Sequence, residues 1–334
     1  MKVGIALPHY DFSFPDGRRA SVEATTEWAV RAEELGYDSV WLSDHFFLDL
    51  ARYGGPSQRY ASVEPLTTLA SIAAATKRVR VGTLVLCYAF RHPSMLAKEA
   101  ASLDALSGGR LDLGLGAGWY EDEFTAMGIP FPPVGERVSA LREYVQVVGG
   151  ILGDAPFTFA GAHFQVLKAP GDPPPVQRPR PPIWIGSKGG ARMLRTIAEH
   201  ADGWNTVWRW TPAAYADVAA KLDAACAQAG RDPSSVRRSV GLLCLVGNDG
   251  KDLARRWDAL QRWSPGGALD DTSLETFAAD TLTGTPDECV ARIKEFAALG
   301  VEEVILSFAA LPFAVADPEH VEIVAREIIP VVRS

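Results

Sequence analysis

Asp44 and His45 follow one another directly after a short apolar run, and a carboxylate beside an imidazole can hold and move a proton. Imidazoles change charge near neutral pH, which makes His45 a candidate acid or base; a histidine in such a place also serves as plain hydrogen-bonded structure. Asp44 is a candidate partner in that chemistry and equally a hydrogen-bond partner for a bound ring. A second group is glycine. Gly114, Gly116 and Gly118 alternate along an extended run, removing every second side chain so that a flat group can approach the backbone, although turns use glycine as well. The third is Gly186-Ser187-Lys188-Gly189-Gly190, which precedes the amphipathic set Met193, Leu194, Ile197 and Ala198. Glycines at a helix start leave backbone N–H groups free to face an anion, and Lys188 adds a positive charge, so the loop reads as a phosphate site or as a simple glycine-rich connection. It is neither a Walker loop nor a dinucleotide fingerprint.

Other residues carry weaker signals. Trp119 and Tyr120 wall a pocket or pack under a loop. Glu121, Asp122 and Glu123 read as charges complementing a helix N-terminus rather than as metal ligands, with Arg137 pairing one of them. Cys87, Cys226, Cys244 and Cys289 have no spacing that suits zinc or a disulfide framework; Cys87 is placed to line a site, and the others read as small buried side chains. No metal site is expected.

These residues need a frame to bring them together. Short β-rich runs at residues 3–7, 39–43, 79–86, 111–115, 182–186, 203–207, 240–246 and 303–308 alternate with helical patterns, the signature of a parallel sheet with crossover helices. Eight such units close a (β/α)8 TIM barrel. Helical stripes appear at Ala24, Trp28, Ala32 and Leu35, at Leu96, Ala100 and Leu103, and at Val321, Val324, Ile328 and Val331. Thr285-Pro286-Asp287-Glu288 is a capping box, and Thr211-Pro212 opens another helix. Residues 48–62 and 250–283 exceed a minimal barrel, so insertions after the second and seventh strands should cover the strand ends. The proline-rich residues 170–182 read as a stiff lead into the fifth strand, leaving residues 1–334 as one domain. Barrel chemistry occurs where strands end, which shortlists Pro8, His9, Tyr10, Asp44, His45, Cys87, Tyr88, residues 116–119 and the 186–190 loop.

The net charge of −8 and pI near 5.4 argue against nucleic acid or an anionic membrane as partner. The first apolar run is too short for a secretory signal, and no segment reaches eighteen uninterrupted apolar residues, so a cytoplasmic location is expected.

Trp41-Leu42-Ser43-Asp44-His45-Phe46, Val81-Gly82-Thr83-Leu84-Val85, Arg91-His92-Pro93, Ser107-Gly108-Gly109-Arg110-Leu111, Gly116-Ala117-Gly118-Trp119-Tyr120-Glu121-Asp122-Glu123-Phe124 and Ala201-Asp202-Gly203-Trp204-Asn205 together resemble the bacterial luciferase-like superfamily, over essentially the whole chain. Within it, Gly128-Ile129-Pro130-Phe131-Pro132-Pro133-Val134-Gly135-Glu136-Arg137 is similar to an actinobacterial branch of oxidoreductases that use the deazaflavin coenzyme F420. The resemblance implies a TIM barrel whose cofactor ring lies over a third-strand bulge with a cis peptide at Leu84–Val85. It implies cofactor contacts from Asp44, Thr83, Leu84, Val85, Cys87, Gly116, Ala117, Gly118 and Asn205, with Gly186, Ser187, Lys188, Gly189 and Gly190 holding the phosphate of the tail. Asp44 and His45 then sit at the ring edge as catalytic residues, His45 assisting proton transfer. The implied activity is hydride transfer between F420 and a small organic substrate, in a homodimer served by an F420- or flavin-reductase. A two-component monooxygenase using reduced FMN and oxygen is the alternative, and a flavin-binding protein without turnover is a third. Two departures bear on this choice. The family's sugar-phosphate dehydrogenases carry a catalytic Glu where this chain has Trp119, which argues against that activity; its luciferases place an arginine where this chain has Ala117, which favours F420 over FMN.

Overall fold

The computed structural model describes residues 1–153 and 156–333. Eight parallel strands close a barrel: β1 (Lys2–Ala6), β2 (Ser39–Leu42), β3 (Arg80–Thr83), β4 (Leu111–Gly116), β5 (Ile183–Gly186), β6 (Gly203–Trp208), β7 (Arg237–Val246) and β8 (Glu303–Ser307). Closure is made twice over, by Leu113 and Leu115 of β4 against Ile183 and Ile185 of β5, and by β8 lying between β7 and β1. The expected barrel is therefore present, with strand positions close to the runs read from the sequence.

The crossover helices follow the same reading. They are α1 (Val22–Glu34), α2 (Pro65–Ala75), α3 (Pro93–Ser107), α4 (Val134–Leu152), α5 (Ala191–His200), α6 (Pro212–Gln228) and α7 (Pro286–Ala298). Thr211 caps α6 by accepting from the Ala214 N–H at 3.1 Å, and in the capping box of α7 the Thr285 N–H donates to Glu288 at 2.8 Å. The last helical segment departs from the expected stripe. A π-helical turn at Val324–Ile328 adds a residue to the local repeat, so the buried position moves from Val331, which is exposed, to Val332.

The insertion after β2 is an antiparallel hairpin of Phe47–Asp49 with Arg59–Ala61; that after β7 includes the helices Gly250–Trp263 and Leu274–Ala278. A second hairpin, Phe157–Ala160 with Gln165–Ala169, follows α4. Its strands are half-exposed and make no apolar run, so hydrophobic pattern alone passes over them.

Strand alternation sorts the core into two layers. Val3, Ile5, Val40, Val81, Leu111, Leu113, Ile183, Val240 and Val304 face the helices, while Ala6, Trp41, Trp184, Leu243, Leu245 and Ile305 belong to a separate interior cluster. Trp41 and Trp184 meet there edge to face, with ring centroids 6.3 Å apart. Glycines on neighbouring strands give them room: a Cβ at Gly82 would lie 2.4 Å from the Trp41 ring, and one at Gly203 would lie 2.2 Å from Trp184. Below the indoles is a polar layer. Trp41 Nε1 donates to Ser39 Oγ at 2.6 Å, Ser39 donates to Glu303, and Trp184 Nε1 donates to Asp112 at 3.0 Å, where Arg80 also binds.

Burial of Glu303 at this sealed end pushes its pKa up to about 7. A carboxyl group whose folded pKa exceeds its unfolded value holds its proton more tightly when folded, so its contribution falls as pH rises from the unfolded pKa to about 7 and is level above that. Relative to the wild type, Glu303→Gln should gain roughly 3 kcal/mol of stability between acid and neutral pH. Urea unfolding of both proteins across that range checks this, and parallel stability curves would refute it.

Candidate active site

The strand ends opposite that polar layer surround a cavity of ≈ 780 Å³, lined by residues from the loops after several strands and by Leu48 and Tyr53 of the first insertion. Its floor is set by β3. Regular pairing stops at Thr83, a cis peptide joins Leu84 to Val85 as the family resemblance implies, and pairing with β4 resumes at Leu86–Cys87. The alternating glycines serve this bulge. A Cβ at Gly114 would sit 2.0 Å from the Thr83 carbonyl oxygen, and those at Gly116 and Gly186 would sit 2.6 and 3.1 Å from Val85. The expectation that the glycines clear space for a flat group is corrected at Gly114 and Gly116: Thr83 and Val85 occupy the space directly beside them. Thr83 belongs to the same packing, donating to the Gly114 carbonyl at 2.9 Å and accepting its N–H at 2.8 Å, and it lies outside the cavity lining.

Asp44 and His45 are not partners. Residues leaving a strand point alternately to opposite sides, and each of these two finds a different ion. Asp44 takes two guanidinium hydrogen bonds from Arg91, at 2.7 and 3.1 Å, and the Cys87 N–H at 2.9 Å. His45 bonds through Nδ1 to Glu123 at 2.8 Å, while the other Glu123 oxygen accepts the Phe46 N–H at 3.0 Å. A carboxylate accepts, so Nδ1 carries the proton and Nε2 is the nitrogen left for chemistry. Trp119 stands edge-on to the His45 ring at 5.6 Å, and Arg52 of the first insertion lies over Trp119 and Tyr120.

Arg137 pairs none of Glu121, Asp122 and Glu123, the charges read from the sequence as complementing a helix end with Arg137 on one of them. Instead Glu123 is buried on His45, Glu121 and Asp122 are exposed, and Arg137 stacks on Phe131 at 3.8 Å while donating to the Pro132 carbonyl at 2.6 Å. Arg137 Nε is buried and has no partner among the described residues, although the side chain lines the cavity. The 186–190 loop lines the same cavity through Gly186, Ser187, Lys188 and Gly190. Gly190 is the N-cap of α5 and supplies no side-chain cap, so the first N–H groups of that helix are open to a ligand. Lys188 lies over the Trp210 ring at 5.2 Å, and burial lowers its pKa from the usual range.

Of the anticipated contacts, Asp44, His45, Leu84, Val85, Cys87, Gly116, Ala117, Gly118, Gly186, Ser187, Lys188, Gly190 and Asn205 line the one cavity; Thr83 and Gly189 do not. Gly189 has φ +103° and a Cβ there would meet Val218, so its place is in the fold of the loop. Burial pushes the Cys87 thiol up to about 12, which disfavours the thiolate form. Sequence reasoning missed Ser43, Tyr53, Trp208 and Phe313, which also line the cavity. Ser43 was legible as the next inward position after Ser39 and Trp41; the others come from loops and a strand end, where no periodicity marks direction. Among the described residues no cluster of three His, Cys, Asp or Glu side chains could hold a metal ion, and no helix is long and apolar enough to cross a membrane.

Residues 1–267 match the luciferase-like monooxygenase family. The chain is similar to the F420-dependent glucose-6-phosphate dehydrogenase of Amycolatopsis mediterranei, at 33% identity over 191 residues, which is 55% of this chain and 54% of the relative. The match thus spans about half the length of that enzyme. The 5,10-methylenetetrahydromethanopterin reductase of Methanolobus tindarius is 26% identical over 339 residues, covering 90% of this chain and 94% of its own. Among solved structures, the monooxygenase RslO1 of Streptomyces bottropensis has a TM-score of 0.77 at 26% identity, over 99% of each chain.

The packing of the bulge yields a direct test. Gly114→Ala forces a methyl group onto a backbone oxygen that has nowhere to go, and should cost about 3 kcal/mol or more, at or beyond the upper end for overpacked cores. Gly190→Ala, where a Cβ meets nothing within 4 Å, should be nearly neutral. Denaturant unfolding of the two variants measures the contrast, and equal stabilities would show that the bulge does not depend on Gly114.

Proposed function

The chain belongs to the luciferase-like monooxygenase family, and we propose that it is an oxidoreductase that passes a hydride between coenzyme F420 and a small organic substrate. The observation that carries the reading is the joint presence, on one cavity, of the Val85 bulge and an anion cradle made of the open α5 N-terminus, Lys188 and the unpartnered Arg137 Nε. A planar ring bearing a phosphodiester tail satisfies both features. The named F420-dependent relative supports the same cofactor.

When bound, F420 supplies the hydride chemistry, and this chain's residues supply placement and proton handling. Leu84 and Val85 support one face of the ring. The α5 N-terminus, Lys188 and Arg137 hold the tail's negative charge. Asp44, already neutralised by Arg91, fixes the loop after β3 by accepting the Cys87 N–H, a binding role more than a kinetic one. His45, oriented by Glu123, holds or moves a proton at Nε2 beside the ring edge. By the family resemblance Trp119 stands where the sugar-phosphate dehydrogenases carry a catalytic Glu, which argues for a substrate of another class. The reading carries with it one domain over residues 1–334, a homodimer, a cytoplasmic location and a reductase that renews the reduced cofactor. A monooxygenase using reduced FMN is the second reading, supported by the likeness to RslO1.

Absorbance or fluorescence titration should show F420 binding more tightly than FMN, and Gly190→Asp should weaken F420 about tenfold or more in a folded protein, since it sets a carboxylate against the cradle. Tight FMN binding without F420 binding would promote the monooxygenase reading. Once a screen of enones, imines and other activated double bonds has identified a substrate, His45→Asn should lower turnover about a hundredfold with little effect on cofactor affinity. Unchanged turnover would reduce His45 to a positioning role.

A further inference from the structure

Trp119 lines the cavity and keeps 47% of its surface exposed, which makes it the most open aromatic side chain there. The groups packed against it decide which part is open. Its ring stacks on Tyr120, with centroids 5.3 Å and planes 26° apart, and the Arg52 guanidinium lies 5.4 Å from the Trp119 ring and 5.0 Å from the Tyr120 ring. Three nearly equal distances form a near-equilateral triangle, so Arg52 and Tyr120 sit on the same side of the indole; on opposite faces their separation would be the sum of the other two. That side is fixed from below, since Tyr120 is fully buried and Phe47 of the first insertion meets it edge to face at 5.9 Å. The exposed surface of Trp119 therefore belongs to the other side of the ring, beside the nearly perpendicular His45 ring at 5.6 Å.

Charge in the cavity is committed elsewhere. Arg91 holds Asp44 at 2.7 and 3.1 Å, His45 holds Glu123 at 2.8 Å, and Asp280 holds Arg209 at 2.7 Å. Lys188 and Arg137 alone among the charged lining residues have no carboxylate partner among the described residues, and both belong to the cradle for the cofactor tail. A charged ligand on Trp119 would lose water without gaining a counter-ion, a cost that an uncharged one escapes. Further along the wall, Trp208 is half-buried and meets Phe313 edge to face at 5.0 Å. Beside Trp119 the polar atom on offer is His45 Nε2, because Nδ1 is taken by Glu123.

We infer that Trp119 is a specificity-determining residue that stacks an uncharged, flat conjugated carbonyl compound, a quinone-like ring, on its open face with the carbonyl oxygen turned to His45. The inference deepens the reading of this cavity as the substrate chamber of an oxidoreductase and rests on it. A ring that exchanges a hydride is electron-poor, and the electron-rich face of an indole stacks best on such a ring. A saturated ring of the same size buries similar area but cannot use that face. Arg52 and Tyr120 act through Trp119, holding the indole in place from its covered side.

Binding alone tests this, without turnover. Calorimetric titration of the protein saturated with oxidised F420 compares three ligands built on one carbon skeleton: 2-methyl-1,4-naphthoquinone, flat and uncharged; 2-hydroxy-1,4-naphthoquinone, flat and ionised at neutral pH; and 1-decalone, uncharged and puckered. The first should bind about fivefold or more tightly than either of the others. Trp119→Leu keeps apolar bulk without the π face, so it should erase the preference for the methylquinone over decalone while leaving decalone within about twofold of wild type; Trp119→Tyr should restore the preference. F420 affinity should be unchanged in both variants, which separates lost stacking from a disturbed fold. A wild-type protein that binds the methylquinone no better than decalone overturns the inference, including one that binds neither. So does equal binding of the ionised quinone, or an undiminished preference in Trp119→Leu. Failure of F420 to bind would sink the proposed cofactor by itself; the same titrations, run with excess inorganic phosphate to fill the cradle, then judge the role of Trp119 by the same outcomes.

Discussion

Trp41 and Trp184 meet edge to face inside the barrel, and much of the rest of the molecule is arranged around that contact. Two indoles occupy the volume that smaller side chains from every strand would otherwise fill, so Gly82 and Gly203 must lack side chains. Each indole N–H needs an acceptor once buried, which brings Ser39 and Asp112 inward and, with them, Glu303 and Arg80. One end of the barrel is thereby sealed by a polar network. The cavity opens at the other end, past Trp41 and Trp184 at Ser43 and Gly186.

The same economy of space shapes the cavity floor. A bulge in β3 pushes Val85 into the barrel, and β4 and β5 answer with glycine at positions 114, 116 and 186. Above the floor the charged groups are separated into pairs, Asp44 with Arg91 and His45 with Glu123. Each carboxylate is buried, and each has a cation or ring N–H together with a backbone N–H to replace lost water. What stays unpaired is informative by contrast: Arg137 Nε has no partner among the described residues, and the start of α5 has no side-chain cap.

The barrel was legible because period-2 runs and helical stripes report burial directly, and the strand-end rule then gathered most of the cavity residues from separate parts of the chain. Direction within those ends was less legible. The adjacency of Asp44 and His45 in sequence suggests a pair, whereas alternation of the chain sends them to different partners, Arg91 from the loop before α3 and Glu123 from a short helix after β4. Glu123 looked like one of three equivalent charges at a helix start; only the fold shows that it alone turns inward. The glycine run was recognised as special for a sound reason, loss of side chains beside something that comes close, but the nearest neighbour is Thr83 and Val85 of the same chain. The hairpin after α4 was invisible because its alternation involves half-exposed residues, and the π turn at Val324–Ile328 because one inserted residue leaves no mark on composition.

Hydrogen-bond direction is the level at which sequence falls silent and the structure says most. A tyrosine or serine read from sequence can donate or accept. Fixing the Leu7 carbonyl against His9 Nδ1 removes that freedom in three successive residues, His9, Ser43 and Tyr10, because each hydroxyl has one hydrogen and each bond consumes it. Leu7 is held in turn by its own N–H on the Trp41 carbonyl at 3.0 Å. The direction of these bonds therefore traces back through β1 to the strand that carries Trp41, so the indole that seals one end of the barrel shares a strand pairing with the buried chain of bonds that packs behind the other.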